Sequence, residues 1–160
     1  MHCVIHTHTT PISAIALKKD GFAHDDFYGA QLFGDIGYHD FEGITVFADE
    51  KERMLQSLGK NRVLVLRNHG VAVCEYNIPQ AFRLLWTVQR AAEIQIQCQA
   101  GTLQGPNTIL SDEIRTKCAN LADKLTEDSG FSIKLFDAIV RKMRRSRGEL
   151  WPGDNGARRV

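Results

Sequence analysis

Three histidines carry the chemistry that this sequence offers. His6 and His8 lie in the run His2-Cys3-Val4-Ile5-His6-Thr7-His8-Thr9, at the end of a short β-branched apolar stretch. Side chains alternate faces along a strand, so His6 and His8 point the same way. His69 ends a second apolar run, Val63-Leu64-Val65-Leu66-Arg67-Asn68-His69-Gly70. If the two strands are neighbours, the three imidazoles converge. Neutral imidazole binds zinc and similar divalent ions well, and three rigid donors leave a coordination position open. An ion with an open position polarises a carbonyl or activates a water. Gly70 leaves space beside the third ligand. The bland reading of His6 and His8 is a pair of histidines that satisfy backbone carbonyls. His69 at a strand end favours the shared metal.

Other titratable residues offer weaker signals. His24 lies beside Asp25 and Asp26, and His39 between Tyr38 and Asp40. Either is a candidate fourth ligand or proton shuttle, or simply structural. Asp25, Asp26, Asp35, Asp40 and Glu42 are candidate acids or bases. There is no glycine-rich phosphate loop and no G-x-S-x-G elbow. Cys74 reads as a small apolar residue rather than a nucleophile.

Strands and long helices must position these groups. Residues 2–7 read as a strand. Pro11 opens a short helix over Ile12 to Lys19, with Gly21 near its end. Residues 22–34 read as loop or short helix, Ile36-Gly37-Tyr38-His39 as a short strand, and the region of Gly43 as a turn. Asp49 is placed to cap a helix over 50–58, with Glu52 as its box partner and Gly59 as its stop. Residues 63–67 are the strongest strand signal, and extended chain resumes at Val71. Asn77-Ile78-Pro79 opens a helix to about residue 100, with Ala81, Leu84, Leu85, Val88, Ala92 and Ile96 at three- and four-residue spacing. Gly101 closes it. Residues 102–110 read as linker, and 112–127 and 131–145 as amphipathic helices. The expected organisation is one domain over 1–150 and a flexible tail over 151–160. No internal repeat is present.

The bulk properties exclude several classes. The chain has 160 residues, 43% hydrophobic, and a formal net charge of +1. That is enough for one domain with a core, and it gives no bulk attraction to nucleic acid or anionic lipid. The basic run from Arg141 to Arg147 reads as a solvated helix face. Four scattered cysteines without a C-x-x-C motif suggest free thiols in a reducing compartment, hence a cytoplasmic protein. No stretch reaches the 18 apolar residues of a membrane span.

Three stretches together resemble the class II aldolase/adducin domain family: Val4-Ile5-His6-Thr7-His8-Thr9, Tyr38-His39-Asp40-Phe41-Glu42-Gly43, and Leu64-Val65-Leu66-Arg67-Asn68-His69-Gly70 followed by Ala81-Phe82. The middle stretch is closer to the adducin-like branch. The resemblance spans residues 1 to 105. It implies a three-layer α/β/α sandwich around a central, mostly antiparallel sheet, truncated at the N-terminus. It implies Zn2+, or another divalent metal such as Mn2+ or Fe2+, on His6, His8 and His69. Aldolase members cleave a sugar phosphate, with the metal holding the enediolate. Others are epimerases, dehydratases or decarboxylases.

The resemblance further implies a small hydroxy-carbonyl or sugar-phosphate substrate and a homo-oligomer. A tyrosine from a neighbouring subunit assists in some members, and Tyr28 is the nearest candidate here. The family's acid–base glutamate and phosphate-binding residues lie upstream of the H-x-H strand and have no counterpart in this sequence, so the short chain is expected to bind metal more readily than to turn over. Glu75 and Gln89 replace a glycine and a glutamate of the family pattern. The alternative is a non-catalytic, adducin-like interaction domain that associates with actin or spectrin. Adducins do not keep all the metal histidines; this chain has all three.

Overall fold

The apolar runs assemble into one four-stranded sheet in the order β1-β4-β3-β2. The strands are β1 (Cys3–Thr7), β2 (Ile36–His39), β3 (Val63–Leu66) and β4 (Gly70–Glu75). The computed structural model describes residues 2–43, 48–100, 105–128 and 130–147. β4 runs antiparallel to both β1 and β3, while β2 is parallel to β3.

β3 and β4 are buried along their whole length, as expected of apolar strands covered on both faces. Their alternation sorts two cores. Val63, Val65, Val71 and Val73 pack with Ile12 and Ile15 of α1 (Thr10–Ala16) and with Leu84 and Val88 of α3 (Ile78–Gln99). Leu64, Leu66, Ala72 and Cys74 point to the opposite face and meet Met54 and Leu58 of α2 (Ala48–Leu58). Helices therefore flank a mostly antiparallel sheet, the layered α/β arrangement that the strand and helix pattern implies. Each fully buried Val or Leu contributes about 1.5–3 kcal/mol before entropy is counted.

Two local devices fix the layers near the sheet end that carries the histidines. Gly37 admits α2, because a Cβ there would lie 2.3 Å from the Ser57 carbonyl oxygen. Gln95 of α3 accepts from Ala23 N at 3.0 Å and donates to Gly21 O at 2.9 Å, which pins the loop after α1.

α4 (Asp112–Asp128) and α5 (Phe131–Ser146) complete the described elements. α5 packs on α3 through Phe136 and Phe82, ring centroids 5.6 Å apart. Its last turn holds Arg144 and Arg145, the favourable end of the helix dipole for cations.

Several boundaries differ from the sequence expectation. α1 starts at Thr10 and ends at Ala16, earlier than the expected span, and the Ala16 carbonyl is then used by Asn68 N at 3.1 Å. Asp49 does not cap α2. The helix already runs at Ala48, and Asp49 sits in its first turn bonded to Arg53 at 2.9 Å. Gly59 does follow that helix, in the left-handed region at φ 56°. Residues 22–34 contain one 3-10 turn, Gly29–Leu32. The closing glycine at 101, the first part of the linker and the tail over 151–160 lie outside the described residues.

Candidate metal centre

The two histidine-bearing runs are not neighbours in the sheet: β4 lies between β1 and β3. The three histidines nevertheless come together, because His69 belongs to the turn that carries β3 into β4. Leu66 pairs with Gly70, leaving Arg67, Asn68 and His69 as the hairpin loop. Asn68 takes φ 57°, a left-handed conformation that asparagine tolerates better than most residues. β4 then pairs with β1, with Thr7 opposite Val71 and His6 opposite Ala72. This register brings the loop residue His69 beside the end of β1.

The ring centroids of His6, His8 and His69 are 4.4, 4.6 and 5.0 Å apart. One ring nitrogen of each lies within 4.8 Å of the others. His6 Nδ1 lies 2.8 Å from Val71 O, a bond that requires the proton on Nδ1. Its Nε2 is then the free lone pair, and that atom faces His8 Nε2 at 2.6 Å. Metal-binding histidines are oriented in the same way, by a carbonyl on the other ring nitrogen. Two nitrogens on one tetrahedral zinc sit about 3.3 Å apart, so the rings need to part by less than 1 Å.

His69 is held through its backbone. Its N–H donates to Leu66 O at 3.1 Å, and Ser13 Oγ donates to its carbonyl at 3.2 Å. Burial pushes its pKa below the ordinary histidine value, and charge on His6 or His8 pushes the same way, while Glu50 opposes them. The result favours neutral imidazole, the form that ligates metal. The donor set is thus the right chemistry for a divalent ion.

A second group of the required type lies next to this one. His39, Glu42 and Glu50 place one ligand atom each within 4.8 Å of one another. His39 is therefore not a fourth member of the first set; it ends β2 and has its own carboxylate neighbours. The three-histidine cluster and the His39, Glu42 and Glu50 cluster are both consistent with divalent-metal binding. Glu50 carries no motif, yet its place was readable: Glu50, Met54 and Leu58 recur at four-residue spacing, so they share the sheet-facing side of α2.

Asp40 is exposed beyond β2, and the remaining sequence candidates have structural partners. His24 Nδ1 bonds Gly29 O at 2.8 Å. Asp25 accepts from Leu110 N and Arg115, and Asp26 accepts from Tyr28 N and Gly29 N. Asp35 holds Arg62 through both the Arg62 backbone N–H and its guanidinium. Tyr28 packs against the main core and lines the apolar groove bounded by α3, α4 and α5. Cys74 is buried, and burial pushes its thiol pKa up, so it is a poor nucleophile. Glu75 is buried with its carboxylate on Arg62 at 3.3 Å, and Gln89 bridges Thr9 and Glu93.

An α/β layer with clustered histidines at one end of its sheet defines a candidate metal-dependent protein, and the comparisons place it in a family. Residues 1–96 match the model described as Class II Aldolase and Adducin N-terminal domain. A Pseudomonas aeruginosa protein named as a candidate class 2 aldolase is 34% identical over 101 residues, covering 63% of this chain and 39% of that protein. Gamma-adducin of Rattus norvegicus is 32% identical over 132 residues, covering 82% of this chain and 19% of that protein.

The crystal structure of an aldolase II superfamily protein from Pseudomonas syringae matches with TM-score 0.80 and 29% identity, over 89% of this chain and 56% of that one. The L-fuculose 1-phosphate aldolase of Glaciozyma antarctica shares the fold at TM-score 0.70 and 14% identity, over 92% of this chain and 54% of that one. The chain belongs to the class II aldolase and adducin family. It spans 39% and 19% of the two curated relatives. Among the described residues, no helix is long and apolar enough to cross a membrane.

Proposed function

We propose that His6, His8 and His69 hold one divalent ion, zinc or in its place manganese or iron, in a cytoplasmic carbon–carbon lyase of the class II aldolase type. The substrate class is a small hydroxy-carbonyl compound or sugar phosphate. The observation that carries this reading is the convergence of three imidazoles with His6 Nε2 left free by the Val71 carbonyl. A bound divalent ion supplies Lewis-acid polarisation of a carbonyl and offsets negative charge as a carbon–carbon bond breaks.

The chain's own groups do the rest of the positioning. Val71 O fixes the His6 tautomer, Ser13 and Leu66 fix the His69 backbone, and Gly70 lets the hairpin approach β1. We assign Tyr28 to the site of a neighbouring copy in a homo-oligomer, with its hydroxyl handling a proton. Within the family we place the chain in the adducin-like branch, on the Tyr38–Gly43 stretch. The test is aldol cleavage by metal-loaded protein across ketose 1-phosphates, including L-fuculose 1-phosphate, read as triose phosphate release. Turnover that disappears in His69→Ala supports the lyase. Absence of turnover in protein that holds its metal removes catalysis by the short chain on its own and leaves the metal site standing.

The adducin similarity favours a second reading, a non-catalytic interaction domain for actin or spectrin. Co-sedimentation with actin filaments, unchanged by His69→Ala, is the result this reading expects.

A further inference from the structure

His39 is 5% exposed, and its Nε2 is buried with no hydrogen-bond partner. That atom points at two carboxylates, 3.8 Å from Glu42 Oε1 and 3.7 Å from Glu50 Oε1. Both distances exceed the roughly 3.2 Å limit of an N–H···O bond. Both are shorter than about 4.2 Å, twice the bond length from a divalent ion to nitrogen or oxygen. The gap is the size of an ion. A buried lone pair or N–H without a partner is costly, and here it faces carboxylates.

We propose that His39, Glu42 and Glu50 form a second divalent-cation site, separate from the three histidines and suited to Mn2+. Its donors are one imidazole and two carboxylates, harder on average than a three-histidine set, and manganese favours oxygen ligands. The supports of a metal site are in place. His39 Nδ1 bonds Ser57 Oγ at 3.0 Å, which fixes the ring and leaves Nε2 for the ion.

Arg53 binds Glu42 and also reaches Asp49, so it orients the Glu42 carboxylate from the outside. Arg53 offsets one of the two carboxylates Glu42 and Asp49, and Arg67, which also lines the cavity, turns its guanidinium onto the Tyr38 ring and the Lys18 carbonyl. The small cavity at this point, about 10 Å³, matches the roughly 10–15 Å³ that one water-sized occupant needs. His69 lines the same cavity, which sets the second ion beside the first.

The site rests on its own donors and not on the three-histidine reading, so the test uses Mn2+ in a His8→Ala background. Mn2+ titration followed by electron paramagnetic resonance is expected to show one ion per His8→Ala chain, with pulsed-spectrum modulation from a ligating imidazole nitrogen. Adding Glu50→Gln or the part-exposed Glu42→Gln should weaken Mn2+ binding at least tenfold, and adding His39→Gln should remove the nitrogen modulation. Circular dichroism keeps unfolded variants out of the comparison. Folded His8→Ala protein that takes up no Mn2+ at millimolar concentration overturns the proposal. So does a nitrogen NMR spectrum of Mn2+-free protein with zinc added in which His39 stays doubly protonated at pH 7, since that is a buried imidazolium serving the two glutamates. Wild-type protein that binds one ion, insensitive to His8→Ala but lost in Glu50→Gln, supports this site and refutes the three-histidine centre.

Discussion

Gly70 and His8 are packed so closely that a Cβ on residue 70 would fall 2.7 Å from His8 Cδ2 and 2.5 Å from the Thr7 carbonyl oxygen. The absence of a side chain lets the hairpin lie against the end of β1, where the histidines meet. Gly70→Ala should force β1 and β4 apart. The expected cost is about 1–3 kcal/mol, typical of overpacking, with a loss of metal affinity that Gly59→Ala does not share. Thermal denaturation and metal titration of both variants check this.

Arg62 joins three carboxylates, Asp35, Glu75 and Asp123, at 2.6, 3.3 and 2.8 Å. Glu75 is 3% exposed, so removing Arg62 takes away its ion-pair partner in the interior and leaves the buried Arg83 as a nearby cation. Arg62→Met should destabilise by about 3–5 kcal/mol, and Arg62→Met with Glu75→Gln should recover part of it. Urea unfolding of the single and double variants measures the difference.

How much of this the sequence showed follows from what each residue depends on. The strands were legible because Val63-Leu64-Val65-Leu66 and Cys3-Val4-Ile5 are local runs whose burial shows in composition. The shared face of His6 and His8 followed from strand geometry alone. The insertion of β4 between β1 and β3 was not legible, since strand order depends on long-range pairing. His69 reaches the site through a hairpin loop and not as the end of an adjacent strand. Arg62 and Gln95 gave no motif, because each acts on partners far along the chain that folding alone brings near, whereas the four-residue spacing of Glu50, Met54 and Leu58 showed the side of α2 that Glu50 occupies but not its neighbours. Asp49 misled because an acidic residue suits both a cap and a first helical turn.

Asp25 ties the loop after α1 to α4. Its hydrogen bond from Arg115 holds its carboxyl below the ordinary value of 3.8, against some desolvation. A depressed carboxylate stabilises the fold above that value, and the contribution is lost as pH falls through the lower folded-state value. The pair lies at the surface, where solvent screens it, so its contribution is small. Asp25→Asn should lower the melting temperature at pH 7 by about 2–4 °C, and the gap should close below pH 3.8. Melting curves from pH 7 to pH 2.5 check it.

Cys74 lies in the core beneath α2, with its thiol pKa raised by burial, whereas Cys3, Cys98 and Cys118 are part-exposed. A thiol reagent at pH 8 should modify Cys74 at least tenfold more slowly than the other three in native protein, and all four alike in denaturant. Mass spectrometry of the labelled chain reads the order.

Joint binding of one metal by His6, His8 and His69 is tested most directly by elemental analysis of zinc-loaded, desalted protein. The wild type and three single alanine variants are compared after Glu50→Gln has been introduced into all four, which removes the neighbouring cluster. One zinc per chain in the Glu50→Gln parent, and less than a tenth of that after any one of His6→Ala, His8→Ala or His69→Ala, is the predicted result. Folded parent protein without zinc, or zinc retained at full stoichiometry in all three alanine variants, would contradict it.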